Sequence, residues 1–398
     1  MIFEDIQRDY HDPAAHREDE FSFLNRSARP AAAQVRSLIE QWAILYPPRD
    51  RDELKSALRS QFRSTFFEMF VHAMLKQFGC TVDVHPVLSN QRSTRPDFVA
   101  TFPTGERVIV ECAHPKDPSS YSKSEQARLD ALYDDIERIR SANFFLVLHE
   151  IDGLKMRQPS IKRLRRYIEE RISSLNVDDL HARVERGELN SMPTWLYEDG
   201  EFNLEFSVWP KSPGHRTARG AFIASYPSET RLGGHGNTLR SRIADKATKY
   251  GKLESPFVVA VNTGSLLATR VDDEMDALFG SERSLLRQEN AIPTTGSGVW
   301  LGAGGPQNTR LSAVIFSRVF PWNLPVAPIC IYHNPFATRP CVTLPWRLEQ
   351  AVPVDGRMQW RPGSTIGSIL DLPSDWPGTL FPLSGTQDHT NDGAALTG

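Results

Sequence analysis

The run Arg107-Val108-Ile109-Val110-Glu111-Cys112-Ala113 constrains the fold more than any other stretch of the chain. A nearly continuous β-branched run of this kind suits a strand covered on both faces, since neither alternating set of side chains is adapted to water. Near its end stands a carboxylate, Glu111, which packing alone does not explain. The run therefore calls for a sheet between two layers and gives one acid a chemical task.

The segments before it supply two more acids. Over residues 62–78 the apolar positions Phe67, Phe70, Val71, Met74, Leu75 and Phe78 recur at helical spacing, and Gly79 stops the helix. Glu68 falls at the edge of that stripe and looks across the rim of the core. Val82 and Val84 then mark a short strand, followed by the polar, turn-forming run 89–94. Pro96 lacks a ladder donor and belongs at the start of the next strand, 97–102, which opens on Asp97 and closes in the hairpin Pro103-Thr104-Gly105. Carboxylates on two adjacent strands and a facing helix suit Mg²⁺ or Mn²⁺, hard ions that keep waters and accept phosphate oxygens.

After Ala113 the stretch 114–120, with His114 and Lys116, has no regular structure; His114 reads as a loop residue or as a proton-transfer group. A charged helix over 122–140 carries Lys123 and Gln126 and is followed by the buried strand 144–148. The order helix, three strands, helix, strand, with Pro96-Asp97 on one strand and Glu111 on the next, resembles the core of the PD-(D/E)xK nuclease superfamily, over residues 55–150. The resemblance implies a restriction-endonuclease-like mixed sheet flanked by helices. It makes Asp97 a metal-binding acid, Glu111 the second acid, and Glu68 the helix acid that many members add. It also exposes a departure. The family's Lys lies two residues after the second acid, where this chain has Ala113. Candidates to supply the missing polar or positive group are Lys116, Lys123 and Gln126, and more distantly Lys246 and Lys249.

The rest of the chain narrows the partners. With 398 residues it is long enough for two or three domains. A net charge of -3 gives no global polyanion-binding signature, so contact with nucleic acid must be local. Lys162, Arg163, Arg165 and Arg166 on a helix over 160–173 are one candidate stripe for phosphates, with Glu169 and Glu170 as competing intrahelical partners. A second basic helix over 238–250 carries Lys246 and Lys249 and leads into the buried strand 256–261, which either extends the first sheet or begins another layer. The four cysteines lack Cys-x-x-Cys spacing, and no long apolar run or leader pattern is present, so a soluble protein in a reducing, cytoplasmic setting is expected.

These readings give a flexible arm over 1–30, a nuclease-like core over 31–175, an α+β extension over 176–350 and a disordered tail over 384–398. The expected activity is metal-dependent phosphodiester hydrolysis, with DNA favoured over RNA, in defence or repair, by a homodimer or with a partner protein. The alternative is a catalytically silent nucleic-acid-binding or protein-interaction module that lost the Lys. A third reading makes Cys112 or Cys80 a nucleophile with His114 as its base.

Overall fold

The computed structural model describes residues 1–16, 18–88, 94–114, 123–153, 158–186, 188, 192–216, 222–225, 235–251, 253–263, 271–280, 292–373 and 375–378. Helices α1 (Glu20–Arg26), α2 (Pro30–Ile44), α3 (Arg51–Ser60) and α4 (Phe62–Gln77) come first. Strands β1 (Thr81–Val84), β2 (Phe98–Thr101) and β3 (Arg107–Ala113) follow as an antiparallel meander. Gly79, at φ 81°, ends α4 in a left-handed conformation that costs glycine nothing.

Next come α5 (Lys123–Glu137), β4 (Phe144–Asp152), α6 (Ile161–Ser173), α7 (Val177–Glu185), β5 (Thr194–Asp199), β6 (Phe202–Pro210) and β7 (Ile223–Ser225). The chain continues through α8 (His235–Thr248), β8 (Phe257–Asn262), α9 (Val271–Phe279), the small pair β9 (Leu301–Gly302) and β10 (Gly305–Pro306), and β11 (Leu311–Ser317). It closes with β12 (Ile329–His333), β13 (Glu349–Val354), β14 (Arg357–Arg361) and a short helix, Ile366–Leu370.

The protein is a mixed α/β structure built on a large mixed sheet flanked by helices, with strand order β1-β2-β3-β8-β11-β12-β13-β14. β3 has a parallel neighbour in β8, with Glu111 opposite Val259. Alternation along β3 divides the core. Val108, Val110 and Cys112 join the cluster formed with α1 to α4, whereas Ile109 and Ala113 join the cluster formed with α8 and α9. Both faces are covered, as the β-branched run requires.

A second sheet, ordered β5-β6-β4-β7, has its own hydrophobic cluster with α5, α6 and α7. This corrects the expected strand order. The strand over 144–148 is real, but as β4 it pairs with β6 and β7, not with the first sheet. The parallel partner of β3 comes instead from residues 257–262, after α8. Two helix-strand pairs in the sequence fitted the same crossover, and an apolar strand run does not name its neighbour. The first sheet therefore draws on strands from both sides of a module spanning α5 to β7.

The start of the chain, which the sequence leaves as a loose arm or a docking segment, is docked. Ile2 and Phe3 are buried, both their amides donate to Glu40 Oε1 at 2.8 and 2.9 Å, and the Phe3 ring stacks on Phe21 at 5.2 Å. Few apolar residues suffice when a half-buried acceptor pins the backbone. The tail over 384–398 lies outside the described residues. No helix among the described residues is long and apolar enough to cross a membrane.

Candidate functional site

The three acids singled out from the sequence lie at one end of the first sheet. Asp97 immediately precedes β2 and takes the amide of Cys112 on β3 as a hydrogen-bond donor at 2.6 Å, which fixes it beside Glu111. Glu68 approaches from α4 and is acted on electrostatically by Asp97, Glu111, Lys246 and Lys249. Its carboxyl is pushed up to about 8, by burial first and then by Asp97. Asp97 is also raised, by burial and by the charge of Glu111. Two carboxyls that burial and mutual repulsion hold against ionisation form a site that lacks positive charge.

Glu111 behaves differently. Its side chain is 0% exposed, yet its carboxyl is held below the ordinary range. Burial pushes it upward, and the opposing groups more than offset that: Lys246 Nζ at 2.7 Å and Lys249 Nζ at 2.8 Å, both on Oε1, and the Tyr250 hydroxyl on Oε2. The Tyr250 hydroxyl also lies 2.8 Å from the Arg95 carbonyl, so this ring ties the segment leading into Asp97 to the acid on β3. Spacings of three and four residues put Lys246, Lys249 and Tyr250 on one side of the end of α8, where the helix dipole favours cations.

Ala113 explains why the ammonium groups come from a helix. Its side chain is 2% exposed and lies in the same cluster as Ile243 and Ala247 of α8. A methyl group there leaves room for α8 to pack over the end of β3. Of the candidates for the absent strand Lys, it is the distant Lys246/Lys249 pair that the fold brings to Glu111. Gln126 is instead on α5 in the second module, bonded to Asp130 at 2.8 Å. Lys116 lies outside the described residues, as does the side chain of Lys123.

The stripe on α6 also belongs to the second module, where Leu164 and Ile168 bury its inner face. Arg163 pairs with Asp199 at 2.8 Å, Arg165 with Glu169 at 3.9 Å and Arg166 with Glu170 at 3.5 Å, while Lys162 is exposed. Two of these are the intrahelical partners that the sequence offered as competitors. Such exposed pairs are weak and leave the arginines able to exchange partners.

The surroundings of the two cysteines weigh against the cysteine reading. Burial and the charges of Asp97, Glu68 and Glu111 push the Cys112 thiol far above its ordinary range, and burial pushes Cys80 up to about 11. His114 is driven down to about 4 by burial and by Arg63 and Arg242. Such surroundings disfavour the thiolate of either residue.

Among the described residues no group of three His, Cys, Asp or Glu side chains stands ready as a metal cage. The donor set nevertheless fits a hard divalent ion in kind. Glu68 has no hydrogen-bond partner among the described residues, Asp97 makes one bond, to a single oxygen, and both are oxygen donors of raised basicity. Glu111 stands beside them, engaged by two ammonium groups. Three carboxyls against two lysines leave the cluster short of cationic charge once all are ionised.

Tyr250, which binds two of the site's segments, was not picked out from the sequence. The signal was present in the Lys-x-x-Lys-Tyr spacing of residues 246–250. Compared with known proteins, the chain matches no family model, no curated protein and no solved structure.

Proposed function

We propose that this chain is a metal-dependent nuclease with a restriction-endonuclease-like core, in which α4, β1, β2, β3, α8 and β8 form the motif-bearing unit and the module from α5 to β7 is an insertion. The observation that carries this reading is the convergence of Lys246 and Lys249 on Glu111, beside Asp97 and Glu68. It supplies from a helix the ammonium group that Ala113 denies to the strand.

In this reading Asp97 and Glu111, with Glu68, hold Mg²⁺ or Mn²⁺. When bound, such an ion neutralises charge on the phosphate and makes a water nucleophilic at neutral pH. The chain's own residues do the rest. Lys246 or Lys249 positions the attacking water and offsets charge developing on the phosphate oxygens. Tyr250 holds Glu111 and the Arg95 carbonyl in register, and so sets the separation of the two strand acids. Burial around Glu68 and Asp97 strengthens each of these interactions. DNA is the favoured substrate, defence or repair the expected setting, and a homodimer or partner protein the expected assembly, all from the family resemblance. The insertion leaves after Ala113 and the chain re-enters the core at α8, so both its junctions flank the site, and α6 is its candidate phosphate-tracking face.

A silent nucleic-acid-binding relative is the rival, favoured by the absence of a ready cage and by the engagement of Glu111 with lysines. Incubation of plasmid, linear and single-stranded DNA and RNA with Mg²⁺ or Mn²⁺ separates the two. Cleavage by the parent and not by Asp97→Ala or Glu111→Ala supports the nuclease. Nucleic-acid binding that is equal in parent and variants, with no cleavage under either metal, supports the rival.

A further inference from the structure

We propose that the divalent ion and Lys249 compete for Glu111: binding of the ion releases the Lys249 ammonium to the substrate phosphate, while Lys246 stays on the carboxylate. The proposal rests on the metal site of the nuclease reading and divides between the two lysines the roles left open there.

The surroundings of Glu111 call for the exchange. A carboxylate oxygen offers two lone pairs, and Oε1 already accepts from Lys246 Nζ at 2.7 Å and from Lys249 Nζ at 2.8 Å. Oε2 accepts from the Tyr250 hydroxyl, which leaves it one lone pair. An ion placed there stands against two ammonium groups held by the same carboxylate, in a buried setting where charges are screened little. The balance of charge points the same way. Three ionised carboxylates, Glu68, Asp97 and Glu111, are matched by one divalent ion and one ammonium. With the ion in place the second ammonium is in excess.

The fold decides which lysine leaves. Lys246 lies inside α8 beside the buried Ala247, and its side chain is 19% exposed. Lys249 follows the last residue of α8, and its side chain is 33% exposed. A released ammonium must be rehydrated, and the more exposed of the two reaches water with less rearrangement. The backbone at Lys249 does not have to move. Its amide donates to the Lys246 carbonyl at 3.2 Å, and Arg310 Nη1 donates to the carbonyls of Tyr250 and Gly251 at 2.8 and 3.4 Å. The change is therefore confined to a flexible four-carbon stem, whose ammonium is a point charge suited to phosphate oxygens.

The test is acylation of the full chain by sulfosuccinimidyl acetate, read lysine by lysine in a mass spectrometer, with Mn²⁺ and with EDTA. Mn²⁺ should raise the labelling of Lys249 several-fold and leave that of Lys246 unchanged, and Asp97→Ala should abolish the rise. In calorimetric titration Lys249→Met should bind Mn²⁺ at least about tenfold more tightly than the parent, because the ion no longer has to break a hydrogen bond between charged groups. Lys249 labelling that Mn²⁺ leaves unchanged or lowers, a rise at Lys246 instead, or an affinity that Lys249→Met does not alter overturns the exchange. Mn²⁺-dependent cleavage of DNA by the parent alongside such a result leaves the nuclease reading standing. Release of Lys249 without cleavage of any substrate retires the nuclease reading and leaves the exchange.

Discussion

Replacing Glu68 by Gln tests the electrostatics of the site in isolation. The Glu68 carboxyl moves from an ordinary 4.5 to about 8 through burial, with Asp97 and Glu111 adding to the rise and Lys246 and Lys249 opposing it. The folded chain therefore holds a proton that the unfolded chain releases above about pH 4.5. Stability falls as pH rises from about 4.5 to about 8 and levels off beyond. The gap between those two values, at about 1.36 kcal/mol per pH unit, bounds the loss near 5 kcal/mol. Relaxation and water penetration around a side chain that is not fully buried bring it to about 2–3 kcal/mol. A neutral amide has no proton to lose, so Glu68→Gln should be more stable than the parent by that amount at pH 8.5. At pH 5 the two should differ by less than about 1 kcal/mol. Urea denaturation in EDTA at pH 5, 7 and 8.5 measures both curves. Parallel profiles, offset by the same amount at every pH, would refute the reasoning, because they would mean that Glu68 ionises in the folded chain as it does in water.

The lysines give a second prediction: Lys246→Met should cost about 1–2 kcal/mol while Lys249 remains, and the double Lys246→Met/Lys249→Met variant about 3–5 kcal/mol, since it leaves a carboxylate of 0% exposure with no cationic partner. Adding Glu111→Gln to the double variant should restore most of that loss in chemical denaturation, and a double variant no worse than the single would contradict the shared pairing. Tyr250→Phe should cost about 1.5–3 kcal/mol at pH 7, the range for a hydrogen bond to a charged group. Because Glu111 is held below its ordinary value, its pairing stabilises the fold above that value and the benefit is lost as pH falls, so the Tyr250→Phe deficit should shrink as pH falls below the ordinary carboxylate value of 4.5. Finally, Mg²⁺ or Mn²⁺ at one hundred times its dissociation constant should stabilise the parent by about 2.7 kcal/mol, seen as a raised melting temperature that Asp97→Ala abolishes. A parent whose melting temperature ignores both ions would speak against a metal site at these acids.

What could be read in the sequence, and what could not, divides along physical lines. The strand that follows Asp97, the strand holding Glu111 and the helix holding Glu68 were legible because their periodicities are strong and local: α4 spans Phe62–Gln77 and β3 spans Arg107–Ala113, close to the expected bounds. Which strand lies beside β3 was not legible. Two helix-strand pairs offered equally apolar partners, and only the packing of α8 over Ala113 distinguishes them. That choice decides the chemistry of the site, since it brings Lys246 and Lys249 to Glu111 and carries Gln126 into another sheet. The docking of Ile2 and Phe3 was hidden for a similar reason. Two apolar residues in a polar stretch make no pattern, and their anchor, Glu40, is 37 residues or more away.

We propose that Lys246 and Lys249 serve in place of the strand Lys in a metal-dependent nuclease. The direct measurement is Mg²⁺- or Mn²⁺-dependent cleavage of plasmid DNA by the parent, by Lys246→Ala, by Lys249→Ala and by Ala113→Lys in the double-alanine background, each first shown to be folded by circular dichroism. The parent should cleave, at least one lysine variant should lose about a hundredfold or more, and restoring the strand Lys should bring partial recovery. Full activity in both lysine variants and in their double would contradict it.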